Sequence, residues 1–226
     1  MFDSIKDYIP SIHKEGYIFI ILFLLGTVIL FAISSTLGYC GLILTLWCVF
    51  FFRDPERVTF EDPDIVVSPA DGVVQKITQS IPPKELDMGD HMMTRISIFL
   101  NVFDVHVNRV PIAGRVKELH YNPGKFFNAS LDKASEYNER QSILIETKDG
   151  NEIAIVQIAG LIARRIVCDL KKDDAVDTGQ RFGIIRFGSR VDIYLPIDVQ
   201  LQVLEKQRMT GGETIIADFK NRLAKK

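Results

Sequence analysis

Residues 16–52 read GYIFIILFLLGTVILFAISSTLGYCGLILTLWCVFFF, thirty-seven consecutive positions without Asp, Glu, Lys or Arg. A single helix of that length would reach roughly 55 Å, nearly twice the ~30 Å hydrocarbon core of a bilayer, so one straight span does not fit. Ser34-Ser35-Thr36 and Gly38 interrupt the run. The interruption predicts a membrane hairpin of two short helices, about Tyr17 to Ile33 and Leu37 to Phe52. Each is near the lower length limit for crossing, so two spans are preferred and a shallow re-entrant hairpin is the alternative.

The flanks set the topology. Lys6 and Lys14 precede the first helix, Arg53 and Arg57 follow the second, and the connecting turn carries no charge. The excess of positive residues at both ends places both in the cytoplasm, at the cell (inner) membrane. A cleaved signal peptide fits less well, because the start is not basic-rich and a second apolar segment follows at once. Cys40 follows Tyr39 rather than a small residue, which argues against a lipoprotein site.

The whole chain has 226 residues, 47% of them hydrophobic, with 27 basic and 29 acidic side chains and a formal charge of −2. These totals exclude a disordered polyampholyte and give no basic excess for nucleic acid. Two of the three cysteines, Cys40 and Cys48, lie in the apolar run and Cys168 stands alone beyond it. A disulfide framework and a thiolate metal cluster are both excluded, and no metal site is expected. The domain organisation is therefore an anchor, residues 1–52, and a second domain, residues 53–226, long enough for its own core.

Beyond Arg53 short runs rich in Ile, Val and Phe alternate with Gly, Pro, Asn and Asp. They are Ile65 to Val67, Val73 to Thr78, Arg95 to Val102, Gly114 to His120, Ser142 to Thr147, Glu152 to Ala159, Phe182 to Arg186 and Val191 to Tyr194. That pattern predicts a β-rich, barrel-sandwich-like α+β domain, with Leu131 to Glu139 the one segment able to host a helix. A faint internal echo links Val176-Asp177-Thr178-Gly179-Gln180 with Met209-Thr210-Gly211-Gly212-Glu213, each a turn leading into an apolar run. With the Pro-Ala-Asp-Gly turn upstream, the arrangement is similar to biotinyl and lipoyl carrier folds. Neither copy has a carrier lysine flanked by methionine, so carrier function does not follow.

Three segments bear chemistry. Ser68-Pro69-Ala70-Asp71-Gly72 reads as a turn before a strand, or as a carboxylate held rigidly at a strand start. In Asn101 to Pro111, alternation puts Asp104, His106 and Asn108 on one face and Phe103, Val105 and Val107 on the other. His106 is then either a general acid–base with a pKa near operating pH or a satisfied structural histidine. Phe187-Gly188-Ser189-Arg190 lies between two β runs and reads as a hairpin turn. The same dipeptide suits self-cleavage. The Ser189 hydroxyl attacks the Gly188 carbonyl, which the missing Cβ of glycine leaves open, and the amide becomes an ester. Loss of the serine α-proton then expels the carboxylate, and hydrolysis of the resulting dehydroalanine leaves a pyruvoyl group.

Six segments in order carry a resemblance: Ser68 to Gly72, the His106 strand ending in Asn108-Arg109-Val110-Pro111, Tyr121-Asn122-Pro123-Gly124-Lys125-Phe126, Asn138-Glu139-Arg140, Gln157-Ile158-Ala159-Gly160, and Phe187 to Arg190. Together, behind an N-terminal membrane segment, they resemble the phosphatidylserine decarboxylase family, closest to its short bacterial and archaeal-type branch. The resemblance implies autocatalytic cleavage between Gly188 and Ser189 into a β chain, residues 1–188, and an α chain, residues 189–226, which stay associated. It implies a pyruvoyl cofactor derived from Ser189 that condenses with the substrate amine, His106 as the imidazole of the site and Asp71 as its acidic member. The substrate would be phosphatidylserine in the membrane and the products phosphatidylethanolamine and CO2. A homo-oligomer is compatible with this reading. Longer members carry a second histidine three residues after the first, where this chain has Arg109, and Gly-Ser-Thr where it has Gly-Ser-Arg. Two rivals remain on the residues alone: a membrane-anchored serine hydrolase using Ser189, His106 and Asp71, which lacks a Gly-x-Ser-x-Gly elbow, and a non-enzymatic tethered β scaffold.

Overall fold

The computed structural model describes residues 10–124, 138–160, 165–186 and 189–222. Lys6, Lys125, Phe126, Phe187 and Gly188, and residues 131–137 of the expected helix, lie outside them. The chain divides into two compact units between Glu56 and Arg57.

In the first unit α1 (Tyr17–Ile33) and α2 (Ser35–Phe51) form an antiparallel pair. Lys14–Ile33 is long and apolar enough to cross a membrane, whereas α2, at 17 residues, is shorter. The expected break shrinks to a single extended residue, Ser34. Gly38 is a packing residue within α2, not a breaker. Gly38, Gly41, Thr45 and Cys48 recur at helical spacing and are buried, so that stripe faces α1. A Cβ at Gly41 would come within 2.9 Å of Thr27 Oγ1, and the Thr27 and Thr45 hydroxyls bond at 2.9 Å across the pair. Small residues and hydroxyls of this kind bring two apolar helices together where apolar surface alone has no preference. The hairpin is closed at its base by Ser11–Ile12 pairing with Arg53–Asp54.

The second unit is strand-rich, its large sheet curled into a half-barrel. Its strands are β1 (Ile65–Val67), β2 (Gly72–Ser80), β3 (Met93–Leu100), β4 (Val107–Arg109), β5 (Gly114–Asn122), β6 (Arg140–Glu146), β7 (Glu152–Ala159), β8 (Ile166–Cys168), β9 (Ala175–Val176), β10 (Arg181–Ile185), β11 (Ser189–Leu195), β12 (Val199–Leu201), β13 (Arg208–Met209) and β14 (Ile215–Arg222). Every strand run expected from the sequence is present, two with the same bounds. Among the described residues the large sheet has the order β9-β5-β6-β7-β11-β3-β2-β13, and two small sheets have the orders β8-β10-β4 and β12-β14-β1.

These orders contain a duplication. The continuous segment β4 to β10 repeats the arrangement of β1, β2, β3, β11, β12, β13 and β14, so the second copy is inserted into the first between β3 and β11. The registers agree in detail. Val176 faces Gly114 as Met209 faces Gly72. The β2–β3 ladder slips between Val74 and Lys76, and the β5–β6 ladder between Val116 and Glu118. The β1–β14 and β4–β10 ladders slip at matching places too. The echoed turns are equivalent parts of the two copies: Gly179 N–H donates to Val110 O and Gly212 N–H to Ser68 O, both at 2.8 Å, with positive φ at each glycine.

The apolar core lies on one face of the large sheet and includes Ile96, Ile98, Ile143, Ile155, Val191, Ile193, Phe182 and Ile216. A second cluster, with Leu86, Met88, Met93, Val156 and Tyr194, covers the other face. Wholly burying each Ile or Val contributes roughly 1.5–3 kcal/mol. Both faces of β11 are consequently dry, and each of its seven residues is buried.

The duplication yields a paired expectation. A Cβ at Gly72 would run into the carbonyl oxygen of Phe99, and one at Gly114 into that of Glu146, the equivalent residue. Gly72 alone also has a φ of +146°. Gly72→Ala should cost roughly 2–4 kcal/mol in denaturant unfolding and Gly114→Ala less; equal or negligible costs would contradict this account.

Candidate functional site

The site is built around the first residue of β11. Ser189 pairs with Leu100 of β3 and Ala159 of β7, is fully buried, and its Oγ has no hydrogen-bond partner among the described residues. The expected hairpin turn falls on residues outside those described, but the strands on either side do not pair with each other. β10 pairs with β4 and β8, whereas β11 pairs with β3 and β7, so the chain here crosses from a small sheet to the large one. The crossing exists because β11 resumes the first copy of the fold after the second has been completed.

His106, also fully buried, immediately precedes β4. Its carbonyl accepts from Ile185 N at 3.4 Å, four residues before Ser189, so pairing brings the histidine to the end of the strand from which the chain departs for Ser189. Its Nδ1 lies 3.0 Å from the Asp104 carbonyl oxygen. A carbonyl only accepts, so Nδ1 carries a proton, and in the neutral ring the lone pair is on Nε2, the tautomer an acid–base group needs.

The alternating polar face is corrected here. Residues 101–104 form a turn, closed by Asp104 N–H on Asn101 O at 2.9 Å, and only Val107–Arg109 is strand. Val105, His106, Val107 and Asn108 are all buried because both sides of the segment are covered, while Phe103 is exposed at the turn. The Asp104 carboxylate braces the turn. It accepts from Asn101 N at 2.8 Å and pairs with Arg208 of β13.

Asp71 sits just before β2. Arg57 Nη2 lies 2.9 and 3.2 Å from its two carboxylate oxygens, and Gly211 N–H donates to it at 2.8 Å. Arg57 is thus committed to an internal pair within the domain and does not serve as a free flanking charge. Arg53, by contrast, donates to Phe50 O at 2.8 Å at the end of α2. Arg109 donates to Gly179 O at 2.9 Å, and a Cβ at Gly212 would come within 2.8 Å of its Cδ. It locks the two equivalent turns against each other.

The Asn138-Glu139-Arg140 segment braces the fold beside Ser189's strand partner. Asn138 Nδ2 donates to Ala159 O at 2.8 Å, Glu139 O accepts from Ala159 N at 2.9 Å, and Glu139 Oε1 accepts from Ile166 N at 3.0 Å. Arg140 pairs with Glu85 at 2.8 Å. Burial alone would raise the Glu85 pKa; hydrogen bonds from Arg140 and Ser142 outweigh it and hold the carboxyl below its ordinary range. Burial pushes the Cys168 thiol up to about 11, so it stays protonated at neutral pH and is no nucleophile.

Two pairs escaped sequence reasoning. Gln157 of β7 donates to Asn108 Oδ1 of β4 at 2.7 Å, both side chains wholly buried. On the other face of β11, Arg190 holds Asp192 through Nη2–Oδ2 at 3.0 Å and Nε–Oδ1 at 2.9 Å. The available signal was polar residues inside the apolar runs Glu152 to Ala159 and Val191 to Tyr194.

A family model described as phosphatidylserine decarboxylase matches residues 44–217. A phosphatidylserine decarboxylase proenzyme of Rickettsia bellii (strain OSU 85-389) is 60% identical over 214 residues, covering 95% of this chain and 93% of the relative. Those of Rickettsia akari (strain Hartford) and Rickettsia typhi (strain ATCC VR-144 / Wilmington) are 59% identical with the same coverage.

Because Arg57 and Asp71 serve each other and the Gly211 turn, Arg57→Ala and Asp71→Ala should destabilise the domain non-additively. A double-mutant cycle on unfolding free energies should give a coupling of about 0.5–3 kcal/mol, and additivity would show the pair to be inert.

Proposed function

The chain belongs to the phosphatidylserine decarboxylase family and is an enzyme of that class, and from that premise we propose that it makes its own pyruvoyl group from Ser189 after cutting itself at Gly188-Ser189. The observation that carries the reading is the Ser189 hydroxyl: fully buried, without a hydrogen-bond partner among the described residues, and at the first residue of a central strand. A buried hydroxyl left unsatisfied costs about 1–3 kcal/mol, and that cost is explicable where the oxygen is a reactant. The relatives' designation as proenzymes supports a processing step.

In that step the Ser189 oxygen bonds to the Gly188 carbonyl carbon as the amide C–N bond breaks. Removal of the Ser189 α-proton then breaks the Cβ–O bond and releases residues 1–188 as a carboxylate. Water replaces the α-nitrogen, which leaves as ammonia. Held at position 189 at the start of β11, such a ketone would supply an electron sink for loss of CO2 from a substrate amine bound there. His106, with its basic Nε2, takes the role of proton carrier at the substrate α-carbon and assists processing. Asp71 is kept as the acidic member of the site, acting on processing through the Gly211 turn it fixes.

The serine hydrolase alternative requires the nucleophile to be hydrogen-bonded to its base, and Ser189 Oγ makes no such bond. The anchor holds the domain at the bilayer where its lipid substrate resides. Arg53 at the end of α2 and Lys14 ahead of α1 support the reading of both hairpin ends as cytoplasmic.

Intact mass of the purified protein should give two chains, residues 1–188 and 189–226, the smaller blocked by a pyruvoyl group. Ser189→Ala should stay whole and inactive; if it cleaved, or if uncleaved wild type were active, the reading would fail. His106→Ala should lose about 10²–10⁴-fold in turnover, and wild-type cleavage together with wild-type turnover would return the residue to a structural role. For topology, membrane-impermeant labelling of intact cells should miss a cysteine introduced at Glu56. Labelling from outside would reverse the assigned orientation.

A further inference from the structure

Besides Ser189 Oγ, the wholly buried Gln157 Oε1 and Asn108 Nδ2 have no hydrogen-bond partner among the described residues. The two amides share one hydrogen bond, of 2.7 Å. Whichever way the amides are turned, a single bond between two carboxamides leaves one NH2 group and one carbonyl oxygen without any bond. Leaving such groups unsatisfied in the interior is costly.

Their position relates them to the reacting residue. Gln157 faces Val191, and two residues on Ala159 faces Ser189. Residues two apart on a strand project from one face, so Gln157 and Ser189 are diagonal neighbours on the core side of adjacent strands. Asn108 lies two residues beyond His106. The surroundings, Leu100, Ile155, Ala159 and Val191, are apolar and fully buried.

We infer that Asn108 and Gln157 read the amino-acid end of the substrate head group, the spare N–H donating to its carboxylate and the spare oxygen accepting from its ammonium. The inference rests on Ser189 being the reacting centre. An α-amino carboxylate offers one acceptor group and one donor group a carbon apart, as this pair requires. A phosphate would satisfy only the donor, an ethanolamine only the acceptor, and a choline neither. The neutrality of the pair also suits the reaction. A guanidinium would stabilise the carboxylate in the ground state, where binding does not speed its loss as CO2, and Arg109, the cation of β4, is turned to Gly179 O instead.

The test uses the full-length protein in detergent. Wild type, Asn108→Ala and Gln157→Ala are first checked by mass for cleavage, then exposed to phosphatidylethanolamine with cyanoborohydride, which fixes the lipid amine on the 38-residue chain, and assayed for phosphatidylserine turnover. Asn108→Ala should cleave and trap phosphatidylethanolamine like wild type, while kcat/KM for phosphatidylserine falls about 10- to 100-fold. Gln157→Ala should lower both trapping and turnover. Asn108→Asp, which sets a second carboxylate against the substrate's, should fall below Asn108→Ala. Unchanged turnover in Asn108→Ala, or equal loss of trapping and turnover, would overturn the assignment. Should Asn108→Ala fail to fold, Asn108→Leu, which keeps the side chain's shape without its donor, decides by the same ratio. A cleaved wild type that traps no lipid would overturn the pyruvoyl reading and this inference with it, an outcome distinct from the failure of the Asn108 variants alone.

Discussion

A strand paired along both edges and covered on both faces has no water to bond, and β11 is such a strand. Its backbone groups are met by β3 and β7, its inward side chains by the main core, and its outward ones by the second cluster and the Arg190–Asp192 pair. In this setting an unpaired hydroxyl at Ser189 is an anomaly, and a charged side chain survives only because its partner is two residues away. Everything at the site follows from that dryness. His106 has its tautomer set by a backbone carbonyl, and the Asn108–Gln157 pair keeps spare polar capacity in apolar surroundings.

The sequence carried the fold well where hydrophobic periodicity decides structure. Every expected strand formed, because runs of Ile and Val bounded by Gly, Pro and Asn have few alternatives. The helices were legible for the same reason. Errors arose where tertiary context overrides local chemistry. Gly38 looked like a breaker but lies inside α2, because the facing helix leaves room for no side chain there. Gly-Ser before an apolar run looked like a hairpin, yet the adjoining strands belong to different sheets. Asp104 looked like a strand residue until its turn and its Arg208 pairing were seen. No local signal assigns Arg57 to Asp71 rather than to the membrane flank.

The faint echo between Val176 to Gln180 and Met209 to Glu213 was the visible trace of a duplication that otherwise leaves little in the residues. Register slips, strand order and turn contacts agree between the copies, while the side chains have diverged. The divergence is functional in one respect. Where the second copy joins β6 to β7 by a tight turn from Thr147 to Asn151, the first has the whole second copy inserted between β3 and β11. Ser189 lies at the point of return, a junction that no requirement of sheet pairing forces to be continuous.

That nesting bears on what happens after a cut ahead of Ser189. Residues 189–222 contribute to the large sheet twice, as β11 at its centre and β13 at its edge, and to a small sheet as β12 and β14. The fragment is woven through the domain, so scission would change its covalent history without loosening its structure. Folding as one chain is unimolecular, but reassembly from two would be bimolecular and would require the larger chain to hold open a gap at the centre of its own sheet. The processed enzyme would then be stable by its barrier to unfolding more than by its ability to refold, and a molecule once melted would stay lost.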